Sequence, residues 1–191
     1  ADREVRWPKR SLATGRPTGT GRRGPAALIK AALITVSTSR DLDEDGSGEP
    51  DLSGERLAAL AGSIGAEVIG RELIADDQNL IAERLLHWSF EGGADLVLTS
   101  GGTGFSPSDR TPEATLSVIE RAAPGIAEAI RGAAAGHTDK WPLSRGVAGI
   151  RGSCLIINLP GAPGSINESA PVLRPILAHA VALIQDRPTR H

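Results

Sequence analysis

Residues 94–99 read Ala94-Asp95-Leu96-Val97-Leu98-Thr99, a short apolar run without helical spacing, and Ser100-Gly101-Gly102-Thr103-Gly104 follows at once. Thr111-Pro112-Glu113-Ala114-Thr115 then opens a helical stretch, with Thr111 placed as N-cap and Pro112 as the first helical residue. Strand, glycine-rich turn and helix start, in that order, form the unit from which open α/β sheets are assembled. The unit repeats on both sides. Residues 31–36 and 67–74 are short apolar runs that read as strands. Residues 53–64 carry Leu57, Leu60, Ala61 and Ile64 at helical spacing, and 79–90 carry Leu80, Ile81, Leu85 and Trp88 likewise. The helix from Thr111 is expected to run to Ala123, to break at Pro124-Gly125 and to resume over 126–135. Residues 153–159 are the most apolar strand, and 165–185 a closing helix bent or restarted at Pro171 and Pro175. Continuously apolar strands alternating with helices predict a mainly parallel sheet covered on both faces.

The chain has 191 residues, 40% hydrophobic, enough for one domain with a full core. Its 21 basic and 23 acidic residues give a net charge of −2, so no nucleic-acid or membrane partner is expected of the whole. Aromatic residues are 3%, too few for a base-stacking platform. A single cysteine excludes a disulfide framework and fits a reducing, cytoplasmic setting. Cys154 lies in the apolar strand and reads as a buried, inert thiol. Residues 1–30 hold eight basic side chains against two acidic ones, a net +6 that leaves −8 for the rest. Residues 1–29 are therefore expected to be a basic disordered tail or linker, and 30–191 the folded domain. Ala1 opens the chain, and a processed or excised piece of a longer protein is the expectation. Asp41, Asp43, Glu44 and Asp45 precede Gly46-Ser47-Gly48 as a solvated loop without the glutamate that completes a calcium loop.

In an open α/β sheet, ligands bind beyond the carboxyl ends of the strands. Each strand here ends in a polar or glycine-rich segment: Ser37-Thr38-Ser39, Ala75-Asp76-Asp77, Ser100 to Gly104, and Pro160-Gly161-Ala162-Pro163-Gly164-Ser165. Together they make one composite rim. Gly101, Gly102, Thr103 and Gly104 bring backbone N–H groups within reach of phosphate, and Pro160-Gly161 is a second cradle of this kind. Tight turns are the alternative for both. Asp76 and Asp109 are candidate Mg²⁺ ligands, against turn or helix-capping roles. Arg145 and Arg151 are candidate anion contacts or salt-bridge partners. His87, His137, His179 and His191 form neither a triad nor a zinc spacing.

The stretch from Thr99 to Thr115, with its Gly-Gly-Thr-Gly loop and Thr-Pro-Glu-Ala helix start, resembles the signature of the molybdopterin adenylyltransferase family of molybdenum-cofactor biosynthesis, which includes MoaB and Mog proteins and the G domain of gephyrin. Asp51-Leu52-Ser53-Gly54, residues 143–152 and Leu155-Ile156-Ile157-Asn158-Leu159-Pro160-Gly161 agree with it, over roughly residues 30–186. The resemblance implies a three-layer α/β/α sandwich with a mostly parallel sheet, usually a homotrimer. It implies transfer of AMP from Mg-ATP to molybdopterin with release of pyrophosphate, and a molybdate insertase as downstream partner. Asp76 and Asp109 match the family's two essential aspartates, with Mg²⁺ between them and the ATP phosphates. Asp51, Ser53 and Gly54, Gly101 to Gly104, and Pro160, Gly161 and Ser165 match substrate-binding positions. Asp45-Gly46-Ser47-Gly48 also fits the Asp-x-Ser-Gly motif, but Asp51 leads directly into a helix and is preferred, with residues 43–50 as a loop extension. Two departures stand out: Thr38 where the family usually has Asp, and Ser108 where it has Arg. Two rivals are a non-catalytic molybdopterin-binding carrier or scaffold and a molybdate insertase. The latter is disfavoured because insertases carry additional domains.

Overall fold

A computed structural model describes residues 28–37 and 50–187. Residues 1–27 of the expected tail, Thr38, the acidic run, the Asp45 motif and most of the 43–50 extension lie outside the described residues, whereas Ile29, placed in the tail, opens β1 and is buried in the core. The described elements are β1 (Ile29–Val36), α1 (Leu52–Ser63), β2 (Ala66–Ile74), α2 (Gln78–Leu86), β3 (Leu96–Ser100), α3 (Thr111–Val118), β4 (Arg121–Ala122), α4 (Pro124–Ala134), β5 (Ala148–Arg151), β6 (Cys154–Leu159) and α5 (Pro163–Ile184). The strands form one sheet in the order β2-β1-β3-β6-β5-β4. β2, β1, β3 and β6 run parallel, while β5 and β4 are antiparallel additions. The expected three-layer sandwich is what forms.

The apolar strand sequences follow from this arrangement, because each central strand is covered on both faces. Leu33, Leu96, Leu98, Leu155 and Ile157 pack with Leu57, Leu60, Leu173 and Leu177 on the face of α1 and α5. Ala32, Ile34, Val97 and Ile156 pack with Ile81, Leu85 and Val118 on the face of α2 and α3. Cys154 is buried in that second layer, and burial pushes its thiol up to about 12. It is inert at neutral pH.

Four expectations need correction. The helix from Thr111 ends at Val118, not near Ala123, because Ile119 turns extended and Arg121–Ala122 pair with Gly149 and Ile150 of β5. Thr111 is already helical and Arg110 occupies the cap position. Nor do Pro171 and Pro175 break α5. Both lie on its exposed side, where the carbonyls they leave unpaired face water, while Ile166, Leu173, Leu177 and Val181 hold the other side in the core. Trp88 is only half-buried. It sits in a π-helical turn over residues 87–91, with its ring over Gly70 and its indole N–H donating to Glu72 at 3.0 Å.

Glu72 also receives Arg84, whose Nε donates at 2.8 Å. Burial alone would raise the Glu72 carboxyl. The hydrogen bonds and charge of Arg84, with the Trp88 indole, outweigh it and hold the group below its ordinary value of 4.5. A depressed carboxyl stabilises the fold above its unfolded-state value and loses that contribution as pH falls through the folded value. Glu72→Gln is therefore expected to melt below wild type at pH 7, with the gap narrowing as pH falls below the ordinary glutamate value. Thermal melts over a falling pH series check this, and a gap that does not narrow would contradict it.

Candidate active site at the carboxyl edge of the sheet

The chain leaves β1 to one side of the sheet for β2 and returns on the other for β3, so the connections at their carboxyl ends diverge and leave a crevice. After β2 come two adjacent aspartates with different tasks. Asp77 caps α2 by accepting the Leu80 N–H at 2.8 Å. Asp76 turns to the glycine loop, where its Oδ1 accepts the Arg110 N–H at 3.0 Å. Gly102, at φ +61°, passes so close that a Cβ there would stand 2.7 Å from Asp76 Oδ2 and 2.4 Å from Thr111 Oγ1. Only glycine meets both the conformation and the space. Thr111 Oγ1 is buried without a hydrogen-bond partner among the described residues.

Asp109 does not cap α3, which has no side-chain cap. Its Oδ2 accepts the Ser106 N–H at 2.9 Å, folding the loop onto itself beside Gly104. Burial raises the Asp76 carboxyl above its ordinary value, the Arg110 N–H works against this, and the nearby Asp109 carboxylate adds to the rise. The fold thus brings together two carboxylates 33 positions apart in sequence. Asp76 Oδ2 and Asp109 Oδ1 have no hydrogen-bond partner among the described residues. Two acceptors of this kind beside a backbone cradle are the donor set Mg²⁺ takes when substrate phosphates and water complete its shell. Among the described residues no cluster of three acidic, histidine or cysteine side chains offers a closed protein cage. The residues fit a metal carried in with a nucleotide.

Burial and the nearby Asp109 carboxylate make the Asp76 charge costlier here than in water, so a neutral isostere relieves the fold. Asp76→Asn keeps an acceptor for the Arg110 N–H and removes the repulsion. We expect it to melt above wild type at pH 7 while losing activity. A lower melting temperature would show that Asp76 stabilises the fold.

A cavity of about 440 Å³ opens beside this pair, a volume in the ordinary range of small-molecule sites. Gly102, Thr103, Gly104, Asp109, Pro160, Gly161 and Ser165 all line it. Sequence reasoning missed its outer wall, formed by Phe105, Lys140, Trp141 and Leu143. Phe105, Trp141 and Leu143 are exposed, and a Trp-Pro pair outside any periodic segment, in a chain this poor in aromatics, was the available signal. The Asp51 motif stands behind the cavity. Asp51 accepts the Gly54 N–H at 2.8 Å as cap of α1 and the Thr35 hydroxyl at 3.0 Å. Ser53 donates to the Gly161 carbonyl at 2.9 Å, and Ser100 to that of Pro160 at 2.9 Å. Arg151 donates to the Val118 carbonyl, away from the cavity, and Arg145 is bound to the glycine loop and Glu113. Arg110 and Lys140 remain as exposed cations at the rim.

The family model for the probable molybdopterin binding domain matches residues 32–179. The molybdenum cofactor synthesis protein cinnamon of Drosophila melanogaster is 39% identical over 140 residues, covering 72% of this chain and 23% of that protein. A molybdopterin adenylyltransferase of Helicobacter pylori is 42% identical over 113 residues, covering 59% of this chain and 64% of the relative. The chain thus spans less than two thirds of either relative. The molybdopterin biosynthesis enzyme MoaB of Thermus thermophilus superposes with a TM-score of 0.75 at 38% identity, over 85% of this chain and 100% of that one. With both carboxylates, the glycine loop and the Pro160-Gly161 turn inside the matched span, this chain belongs to the molybdopterin-binding domain family.

Proposed function

We propose that this chain is a molybdopterin adenylyltransferase, transferring AMP from ATP to molybdopterin. The observation that carries the reading is the convergence of Asp76 and Asp109 on residues 102–104 at the mouth of the cavity. Relatives named for that activity support it. An oxygen of the molybdopterin phosphate attacks the α-phosphorus of ATP, and the bond to the β-phosphate bridge breaks. Pyrophosphate leaves with the electron pair. The nucleophile is already an anion, so no side chain need remove a proton. The protein's task is to bring two anions together in line. Backbone N–H groups of residues 102–104 hold phosphate oxygens, the Gly101 N–H being spent on the Leu159 carbonyl. Pro160, Gly161 and Ser165 take the molybdopterin, and Asp51, Ser53 and Gly54 hold that turn in place. Asp76 and Asp109 would hold Mg²⁺, which when bound offsets charge on the phosphates.

The domain acts as a homotrimer in the cytoplasm, with residues 1–27 as a basic tail and a molybdate insertase taking the product. Among the described residues no helix is long and apolar enough to cross a membrane. The decisive experiment adds molybdopterin and Mg-ATP to the protein and measures pyrophosphate. Stoichiometric release with formation of adenylyl-molybdopterin is expected. Binding of molybdopterin without release would instead make the chain a carrier.

A further inference from the structure

Arg145 is an arginine at an anion-binding rim that touches no open part of the rim. Its own N–H donates to the Thr103 carbonyl at 2.8 Å. Its Nε donates to the Gly104 carbonyl at 2.6 Å, its Nη2 to the Asp109 carbonyl at 2.8 Å, and its Nη1 pairs with the Glu113 carboxylate. That ion pair draws the Glu113 carboxyl below its ordinary value. One side chain therefore joins the glycine loop, the end of the following turn and the first turn of α3.

The segment it holds has no other anchor among the described residues. Residues 105–108 are exposed and carry no regular structure. Within residues 104–109 the hydrogen bonds are local: Asp109 N–H to the Ser106 carbonyl, Ser106 N–H to Asp109 Oδ2, and the Ser106 hydroxyl with that of Ser108. Among the described residues, every hydrogen bond tying residues 104–109 to the rest of the domain comes from the Arg145 guanidinium. Its two carbonyl acceptors bracket the segment at Gly104 and Asp109. A planar guanidinium offers donors in a fixed fork and can span both carbonyls and a carboxylate at once, which a lysine ammonium cannot.

We propose that Arg145 is the positioning residue for Asp109, setting its carboxylate against Asp76 through the backbone of the loop, rather than a phosphate contact. The inference rests on the reading that Asp109 serves adenylyl transfer. It identifies why a positive charge alone is insufficient at this position. Glu113 pairs with that charge, and among the groups acting on Asp76 the charge of Arg145 ranks last, so the fork geometry is what acts.

Arg145→Lys separates the two roles, because it keeps the charge and removes the fork. Hydrogen exchange of the protein without substrates is read first. Exchange at the Ser106 and Asp109 amides is expected to rise about tenfold or more, with β3 and β6 unchanged. In turnover, kcat is expected to fall about ten- to a hundredfold, since a misplacement near 1 Å costs on that order, with KM for molybdopterin within about twofold. Glu113→Gln keeps both carbonyl bonds and should stay within about threefold of wild type in both readouts. Arg145→Gln gives the same split should Arg145→Lys not fold. Wild-type exchange in the lysine variant, a raised KM with unchanged kcat, or a Glu113→Gln loss as large as that of Arg145→Lys would each overturn the proposal. Absence of pyrophosphate release from wild type would end the adenylyltransferase reading alone, and the exchange comparison would still decide the role of Arg145.

Discussion

Asp109→Asn is expected to lower pyrophosphate release at least about a hundredfold while leaving molybdopterin affinity within about twofold. The substitution keeps the shape and the acceptor for the Ser106 N–H that folds the loop, so the turn survives. It removes one of two negative charges beside residues 102–104. Charge complementarity to a departing pyrophosphate governs several kcal/mol of the barrier in such reactions, and single electrostatic groups are worth about 10²–10³ in rate. Molybdopterin binding is preserved because that substrate is assigned to Pro160, Gly161 and Ser165, not to the Asp109 carboxylate. A helix cap would also tolerate Asn, which caps as well as Asp, and turnover would then stay at the wild-type level. The geometry removes that alternative, since α3 has no side-chain cap. Pterin affinity and pyrophosphate release measured on both proteins decide it. Equal turnover would take Asp109 out of the mechanism.

Gly101→Ala is expected to have the largest effect on stability, a loss of about 2–4 kcal/mol, which in a chain of this size lowers the melting temperature by roughly 5–15 °C. Gly101 has φ +103°, and a Cβ there would lie 2.0 Å from the Val36 carbonyl oxygen. The obstacle is backbone in the centre of the sheet, not a side chain that can turn aside. Relief would have to part the end of β1 from that of β3, where Gly101 also donates to the Leu159 carbonyl of β6 at 3.3 Å. Three strand ends that build the rim would shift together, so activity falls with stability. Gly132→Ala is the matching control. It lies exposed within α4, with nothing within 4 Å of its added Cβ, and should stabilise by about 0.5–1 kcal/mol. Calorimetry on the pair tests the sign of each. A wild-type melting temperature for Gly101→Ala would mean that the approach of Val36 is not tight.

The chain by itself determined the layered sheet, the order of its main elements and the two aspartates. Those features are written in local pattern: apolar runs too short for helices, 3.6-residue spacing between them, and a glycine loop ahead of a proline-led helix start. Tertiary structure decided what depends on long-range pairing. Arg121–Ala122 and Ala148–Arg151 are too short, and Gly149 too poor in side chain, to declare themselves as strands. They exist because each pairs with the other and β5 with β6, and that pairing ends α3 at Val118. Pro171 and Pro175 read as breaks because a proline removes a hydrogen bond wherever it stands, but only the packed fold places both on the wet side of α5. Charge on Arg145 is visible in the letters, whereas its partners are carbonyls, which every residue carries and no sequence pattern singles out. Asp76 and Asp109 are legible one at a time. Their mutual repulsion arises only when β2 and β3 end at the same edge of the sheet.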